Sequence, residues 1–301
     1  MKNVRAGVAD LGIAGAQQSS AVGDFLALTK PRLNILVVLT SAAGYYLGSD
    51  SISDPWRMAN AVIGTALVAG GAAVLNQVYE RDTDALMRRT RRRPLPDHRI
   101  TPRDASYFGG ALSVSGLAML WVWGNQLTAV LALATILIYI AVYTPLKRHS
   151  SMSTLVGAIP GALPPLIGWA AARNSLSVGG WSLFLIMFLW QIPHFMAIAW
   201  MYRDDYGAAG FPMLPVTEPD GRRTGRQAVF YAAALLPLSM LPALVGVTGL
   251  AYYWFALALG AGLLALAIRF SSQRSDRTAR LLFFGSILYL PLLLITMVLD
   301  H

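Results

Sequence analysis

Apolar residues run in long, nearly unbroken stretches along this chain, and polar residues gather between them. Nine such stretches lie at about residues 33–48, 58–79, 107–124, 127–144, 154–171, 181–201, 227–247, 250–269 and 280–299. A helix of about 17–25 apolar residues crosses a hydrocarbon core of ~30 Å. The first stretch is short unless it starts near Phe25, ahead of Pro31. Long alternating strand patterns are missing, which argues against a membrane β-barrel. Pro160, Pro164, Pro165, Pro193, Pro237, Pro242 and Pro291 fall inside stretches, where membrane helices accommodate them as kinks. The pattern predicts an all-α membrane protein of nine transmembrane helices. Residues 1–24, small and polar, read as a flexible cytoplasmic tail, and residues 25–301 as one intramembrane domain.

Composition agrees. Of 301 residues, 55% are hydrophobic and 13% charged, against roughly 25% charged in soluble domains. Mean hydropathy is +0.52. Disorder, fibres and an ordinary soluble enzyme are excluded. A net charge of +9 would suggest nucleic acid in a soluble chain. Here the basic residues sit between spans, so topology accounts for them and no nucleic-acid partner is expected. With the N-terminus inside, all of the 24 Lys and Arg except Arg57 and Arg173 fall on the cytoplasmic side. The bias predicts a cytoplasmic N-terminus and an external C-terminus. No cysteine is present, which removes disulfides, thiolate metal sites and a cysteine nucleophile. The tail lacks the apolar core of a secretory signal and the arginines of a mitochondrial transit peptide, so the expected location is a bacterial cytoplasmic membrane.

The acidic residues then become informative. Glu80, Asp82 and Asp84 close the second span, and Asp204 and Asp205 close the sixth, both at the cytoplasmic face. The two spans are four apart, which suits equivalent positions in two four-helix halves, although no letter-by-letter repeat accompanies them. At 100° per residue, Asn76, Glu80 and Asp84 share an arc of about 80°, and Asp82 points elsewhere. Three oxygen-bearing side chains on one face form half a site for Mg²⁺. The plainer reading pairs these acids with neighbouring arginines. Asn76 and Gln77 weigh against it, because polar groups inside an apolar span are expensive. His194 lies eleven residues before Asp205, which places both on one face of a continuous helix. His194 itself reads as a hydrogen-bonded core histidine, a haem-iron ligand or an acid–base group, and since lone histidines are mostly structural, sequence alone gives each functional role a minority share. Arg89 and Arg93, in the run from Met87 to Leu95, and Lys147, Arg148 and Arg203 are candidate diphosphate ligands, since guanidinium forks match phosphate oxygens. Positive-inside topology and anionic lipid explain most of the arginines, but not the acids beside them. No Walker loop, G-x-S-x-G or H-E-x-x-H is present. Gly70, Gly71 and the other span glycines read as close helix packing.

Four stretches carry a resemblance: Thr29 to Arg32; Asn76-Gln77 through Arg89-Thr90 to Arg93-Pro94-Leu95; Pro160 to Trp169; and Trp190 to Phe195, running on through Arg203-Asp204-Asp205-Tyr206 to Pro215. In these the chain resembles the UbiA superfamily of intramembrane prenyltransferases over about residues 25–300, and the form around His194 is similar to the branch whose acceptor is haem. The resemblance implies a UbiA-like nine-helix bundle with a cavity open toward the cytoplasm. It implies Mg²⁺-dependent transfer of farnesyl from farnesyl diphosphate to the 2-vinyl group of haem b, with hydration, giving haem O. Haem b would be substrate, not prosthetic group, and the lipid bilayer the solvent. Haem A synthase or terminal-oxidase assembly factors would be partners. By carry-over, Asn76, Glu80 and Asp84 form the first metal–diphosphate motif, and Asp204 and Asp205 the second, with Asp205 a further metal ligand. The superfamily usually carries Asp where this chain has Glu80. Rival readings are a prenyltransferase with another aromatic or tetrapyrrole acceptor, a transporter, and a haem-delivery protein without catalysis.

Overall fold

The computed structural model describes residues 20–49 and 54–301. The described residues are almost entirely helical: α1 Ala21–Leu28, α2 Pro31–Gly48, α3 Pro55–Asp84, α4 Pro102–Gly124, α5 Gln126–Leu146, α6 Ser153–Arg173, α7 Val178–Met201, α8 Arg203–Ala208, α9 Leu214–Thr217, α10 Arg222–Leu244, α11 Leu250–Gln273 and α12 Asp276–Leu299. Eight of these, α3 to α7 and α10 to α12, are long and apolar enough to cross a membrane. The first expected span is represented by α2, whose 18 residues carry Arg32 and Asn34 in the first turn. It does not extend back to Phe25. Lys30 takes a left-handed conformation (φ 52°) ahead of Pro31, and the chain turns there between α1 and α2. Within the segment read as a tail to residue 24, α1 starts at Ala21. Ser20 caps α1, and Asp24, almost fully buried, pairs with Arg99 in the loop after α3. Residues 1–19 of that expected tail lie outside the described residues.

Small residues set how closely the helices approach. A Cβ on Gly44 would lie 2.0 Å from the Pro165 carbonyl oxygen, and one on Gly168 would lie 2.0 Å from that of Ser41. Backbone therefore touches backbone where α2 crosses α6, the packing that membrane helices use in place of hydrophobic association. Gly71 does the same for α3 against Gly109 and Ser113 of α4. The inner helices α6 and α7 are the most buried and α7 packs against α6, α10 and α12. Six of the seven span prolines remain inside helices, while Pro242 follows a break at Met240 that divides α10. Large apolar side chains such as Trp121, Trp123, Phe230, Trp254, Phe284 and Leu288 stay exposed on the outer helices. An apolar outer face of this extent is suited to lipid and not to water.

Candidate active site

A cavity of about 490 Å³ opens inside the bundle between α2, α3, α5, α6 and α7, within the 300–1,000 Å³ usual for ligand sites. One part of its wall is charged: Lys30, Glu80, Asp84, Arg89, Arg93 and Lys147. The rest is largely apolar and aromatic, with Leu36, Val37, Met187, Trp190, Phe195 and Ile198, and includes His194.

The charged part is built on the last two turns of α3. Asn76, Glu80 and Asp84 all face inward, at 2%, 4% and 1% exposure, while Asp82 is on the surface. Asn76 donates through Nδ2 to Thr144 Oγ1 at 3.1 Å, and Tyr139 Oη donates to Asn76 Oδ1 at 3.4 Å. Glu80 accepts from Lys147 Nζ through both oxygens, at 3.0 and 3.2 Å. Asp84 accepts from Arg93 through Oδ2 at 2.7 Å, but its buried Oδ1 has no hydrogen-bond partner. Gln77, next to Asn76, does other work: its amide donates to the Leu28 and Ala73 carbonyls and ties α3 to the end of α1.

Two loops cover this end. Thr90 donates to the Asp84 carbonyl at 2.8 Å and turns the segment after α3 back toward the cavity. Met87 packs with Tyr206, Phe211 and Met213 from the segment after α7. Arg89 lies over the Tyr202 and Tyr206 rings, and Lys147 stands 4.5 Å from the Phe211 ring centre. The two acidic clusters therefore belong to one end of the bundle.

They do not form one cluster. Asp204 is exposed and Asp205 half-buried, and neither is on the cavity wall. The helical count from His194 to Asp205 fails because α7 ends at Tyr202 (φ −114°, ψ 23°), and the acids ride on the separate short helix α8. Among the described residues no three His, Asp or Glu side chains converge. Arg203 is held by the Trp200 carbonyl and Asp276, and Arg148 lies over the Tyr79 ring, both away from the cavity wall.

Other cavity residues were not picked out from the sequence as site residues. Tyr139 and Tyr143 stack at 5.2 Å between ring centres along a π-helical turn of α5, a local form common at functional sites. Lys30 stands at the α1–α2 break. Burial, helped by the nearby Arg93 charge, lowers its pKa from 10.5 to about 8. The signals available were a lysine directly before a proline and two tyrosines at helical spacing ahead of Lys147.

The description "UbiA prenyltransferase family" matches residues 37–288. A protein of Solibacter usitatus named protoheme IX farnesyltransferase is 46% identical over 287 residues, covering 92% of this chain and 98% of its own. One of the same name from Opitutus terrae is 46% identical over 279 residues, covering 92% and 94%. Among solved structures, one from work on digeranylgeranylglyceryl phosphate synthase in membranes superposes with a TM-score of 0.79 at 17% identity, over 93% of this chain and 98% of that one. A UbiA homolog from Archaeoglobus fulgidus, bound to GPP and Mg²⁺, gives 0.61 at 16% identity, over 91% and 99%. At these identities the structures speak for the fold.

Proposed function

The chain belongs to the UbiA prenyltransferase family, and from that premise we propose that it transfers the farnesyl group of farnesyl diphosphate to the 2-vinyl group of haem b, releasing diphosphate and giving haem O. The observation that carries this reading is one cavity whose charged part suits a diphosphate and whose apolar part suits a prenyl chain and a porphyrin. The relatives' name, at 46% identity over most of the chain, supports haem as acceptor.

Asn76, Glu80 and Asp84 would hold Mg²⁺, because they share one wall and Asp84 Oδ1 is a buried carboxylate oxygen left without a partner. Asp204 and Asp205, at the same end and next to the wall residue Tyr206, would meet the outer part of the diphosphate only through a bound Mg²⁺, with Asp205 as a further metal ligand. Bound Mg²⁺ would neutralise the leaving group's charge. Lys30, Arg89, Arg93 and Lys147 line the same part of the cavity and would add positive charge where negative charge grows on the leaving group. Arg148 and Arg203, off the wall, serve the approach of diphosphate from the surface. The farnesyl C1–O bond breaks, with its electron pair leaving on diphosphate. The vinyl π electrons then close on C1. Water captures the cation left on the vinyl carbon and gives up a proton, so the sum is haem b, farnesyl diphosphate and water in, haem O, diphosphate and a proton out. Apolar walls keep water from the allylic cation before the vinyl carbon reaches it.

Both substrates are amphiphiles, and a cavity in the bundle receives them from the bilayer. The basic-residue bias supports a cytoplasmic mouth in a bacterial inner membrane. The test is direct. Full-length protein in detergent receives haem b, farnesyl diphosphate and Mg²⁺, with and without EDTA, and products are read by liquid chromatography and mass spectrometry. A Mg²⁺-dependent farnesylated, hydrated haem is expected. No product from protein that still binds haem would refute the proposal and favour delivery or transport.

A further inference from the structure

His194 lines the cavity on α7, seven residues before the helix ends at Met201. At 1.5 Å per residue it lies about 10 Å in from that end. Its ring is clamped. Trp190 stacks on it at 5.3 Å between centres and Phe283 of α12 at 5.0 Å. Nδ1 lies 2.8 Å from Ser286 Oγ, and that hydroxyl also lies 2.7 Å from the Phe283 carbonyl. A serine hydroxyl has one proton. Given to the Phe283 carbonyl, it leaves Oγ as an acceptor, so Nδ1 must be the donor. In the neutral ring, a proton on Nδ1 leaves the lone pair on Nε2. The Ser286 backbone is fixed as well, since its carbonyl accepts from Trp190 Nε1 at 2.8 Å.

Resting on the haem reading above, we propose that Nε2 of His194 ligates the iron of the acceptor tetrapyrrole, and that Ser286 is the positioning residue that fixes the tautomer and plane of the ring. Iron-binding histidines commonly donate their second ring nitrogen to a fixed acceptor in this way. The competing role, proton acceptor from the hydrating water, fits less well. The ring's other nitrogen leads only to a serine and a backbone carbonyl, and no carboxylate or water-facing group lies on that path to pass a proton on. Axial ligation would hold the porphyrin in the apolar part of the cavity and leave its vinyl edge to meet the prenyl chain.

The test titrates ferric haem b into full-length protein in detergent and records absorption and electron paramagnetic resonance spectra, with metal-free protoporphyrin IX as a second probe. Wild type should give a histidine-ligated haem. His194→Ala should lose that signature and recover it with added imidazole. Ser286→Ala should weaken haem binding about 10- to 100-fold and leave protoporphyrin binding unchanged. A bound haem with the same spectrum in wild type and His194→Ala overturns the ligation. So does equal weakening of both probes by Ser286→Ala, which would make the serine merely structural. Farnesyl transfer alongside an unaltered spectrum would sink this inference alone. A histidine-ligated spectrum without any transfer would sink the transfer reading alone. No haem binding by wild type overturns both.

Discussion

Glu80 and Lys147 form the most deeply buried of the ion pairs between spans, and their separation by mutation can be predicted in sign and size. Glu80 is 4% exposed and Lys147 9%, with Nζ 3.0 Å from one carboxylate oxygen. At an effective dielectric constant near 20, unit charges about 4 Å apart attract by about 4 kcal/mol. Removing one partner of a buried pair costs about 3–5 kcal/mol, because the other charge is left in a poor solvent, whereas replacing both is near neutral. Lys147→Met should therefore lower the melting temperature by roughly 10 °C, at about 2–4 °C per kcal/mol. The double variant Glu80→Gln with Lys147→Met should return most of that stability while restoring no farnesyl transfer. Thermal melting of the detergent-solubilised variants, followed by intrinsic fluorescence, measures the first effect, and mass spectrometry of the haem product measures the second. A Lys147→Met protein as stable as wild type would refute the buried-pair argument. A double variant that turns over haem b would show that the pair is structural only.

Asp84→Ala should abolish transfer while the protein still melts cooperatively, since its orphaned oxygen is the best-placed metal ligand on the wall; wild-type turnover in a correctly inserted variant would remove it from the site. Asp205→Ala should lower turnover about 100-fold, the loss typical of one electrostatic contact to a reacting group, and unchanged kinetics would confine the metal site to α3. Lys30, with its pKa lowered to about 8, is charged below that pH and neutral above it. kcat/KM for farnesyl diphosphate, which reports the free enzyme, should therefore fall as pH rises through about 8, and Lys30→Arg should flatten that limb. Gly168→Ala should destabilise by about 1–3 kcal/mol, because its methyl meets the Ser41 carbonyl at 2.0 Å; a neutral effect on melting would mean that α2 and α6 can separate at no cost.

Much of the architecture was legible because lipid leaves few choices. Backbone polar groups in hydrocarbon must be satisfied within the segment, so an apolar run of sufficient length becomes a helix whatever its neighbours. Hence α3 to α7 and α10 to α12 fall where the apolar runs predicted them. The inward face of α3 was legible for a related reason. An unbroken helix carries its angular count, and Asn76, Glu80 and Asp84 arrive on one wall as the 100° spacing requires. Gln77 shows the limit of the argument that polar residues in spans are functional. Its side chain is as buried as that of Asn76, yet it serves the Leu28 and Ala73 carbonyls.

The misreadings arose where the chain leaves regular helix. The count from His194 to Asp205 assumed continuity, and Tyr202 breaks it. Lys30 did not stand out among the basic residues on the cytoplasmic side, because its place at the cavity depends on a left-handed turn that no periodicity announces. Ser286 carried no signal at all: one serine in an apolar span reads as a small packing residue. Its meaning comes from α12 lying against α7, which sets its hydroxyl beside His194 and its carbonyl beside Trp190. Such contacts, 92 and 96 residues apart in sequence, are properties of the packed bundle. The polarity of the two parts of the cavity could be read along α3 and α7 separately. Their union into one site needed the packing of Met87 against Tyr206 and Phe211, by which two loops close over a single cavity.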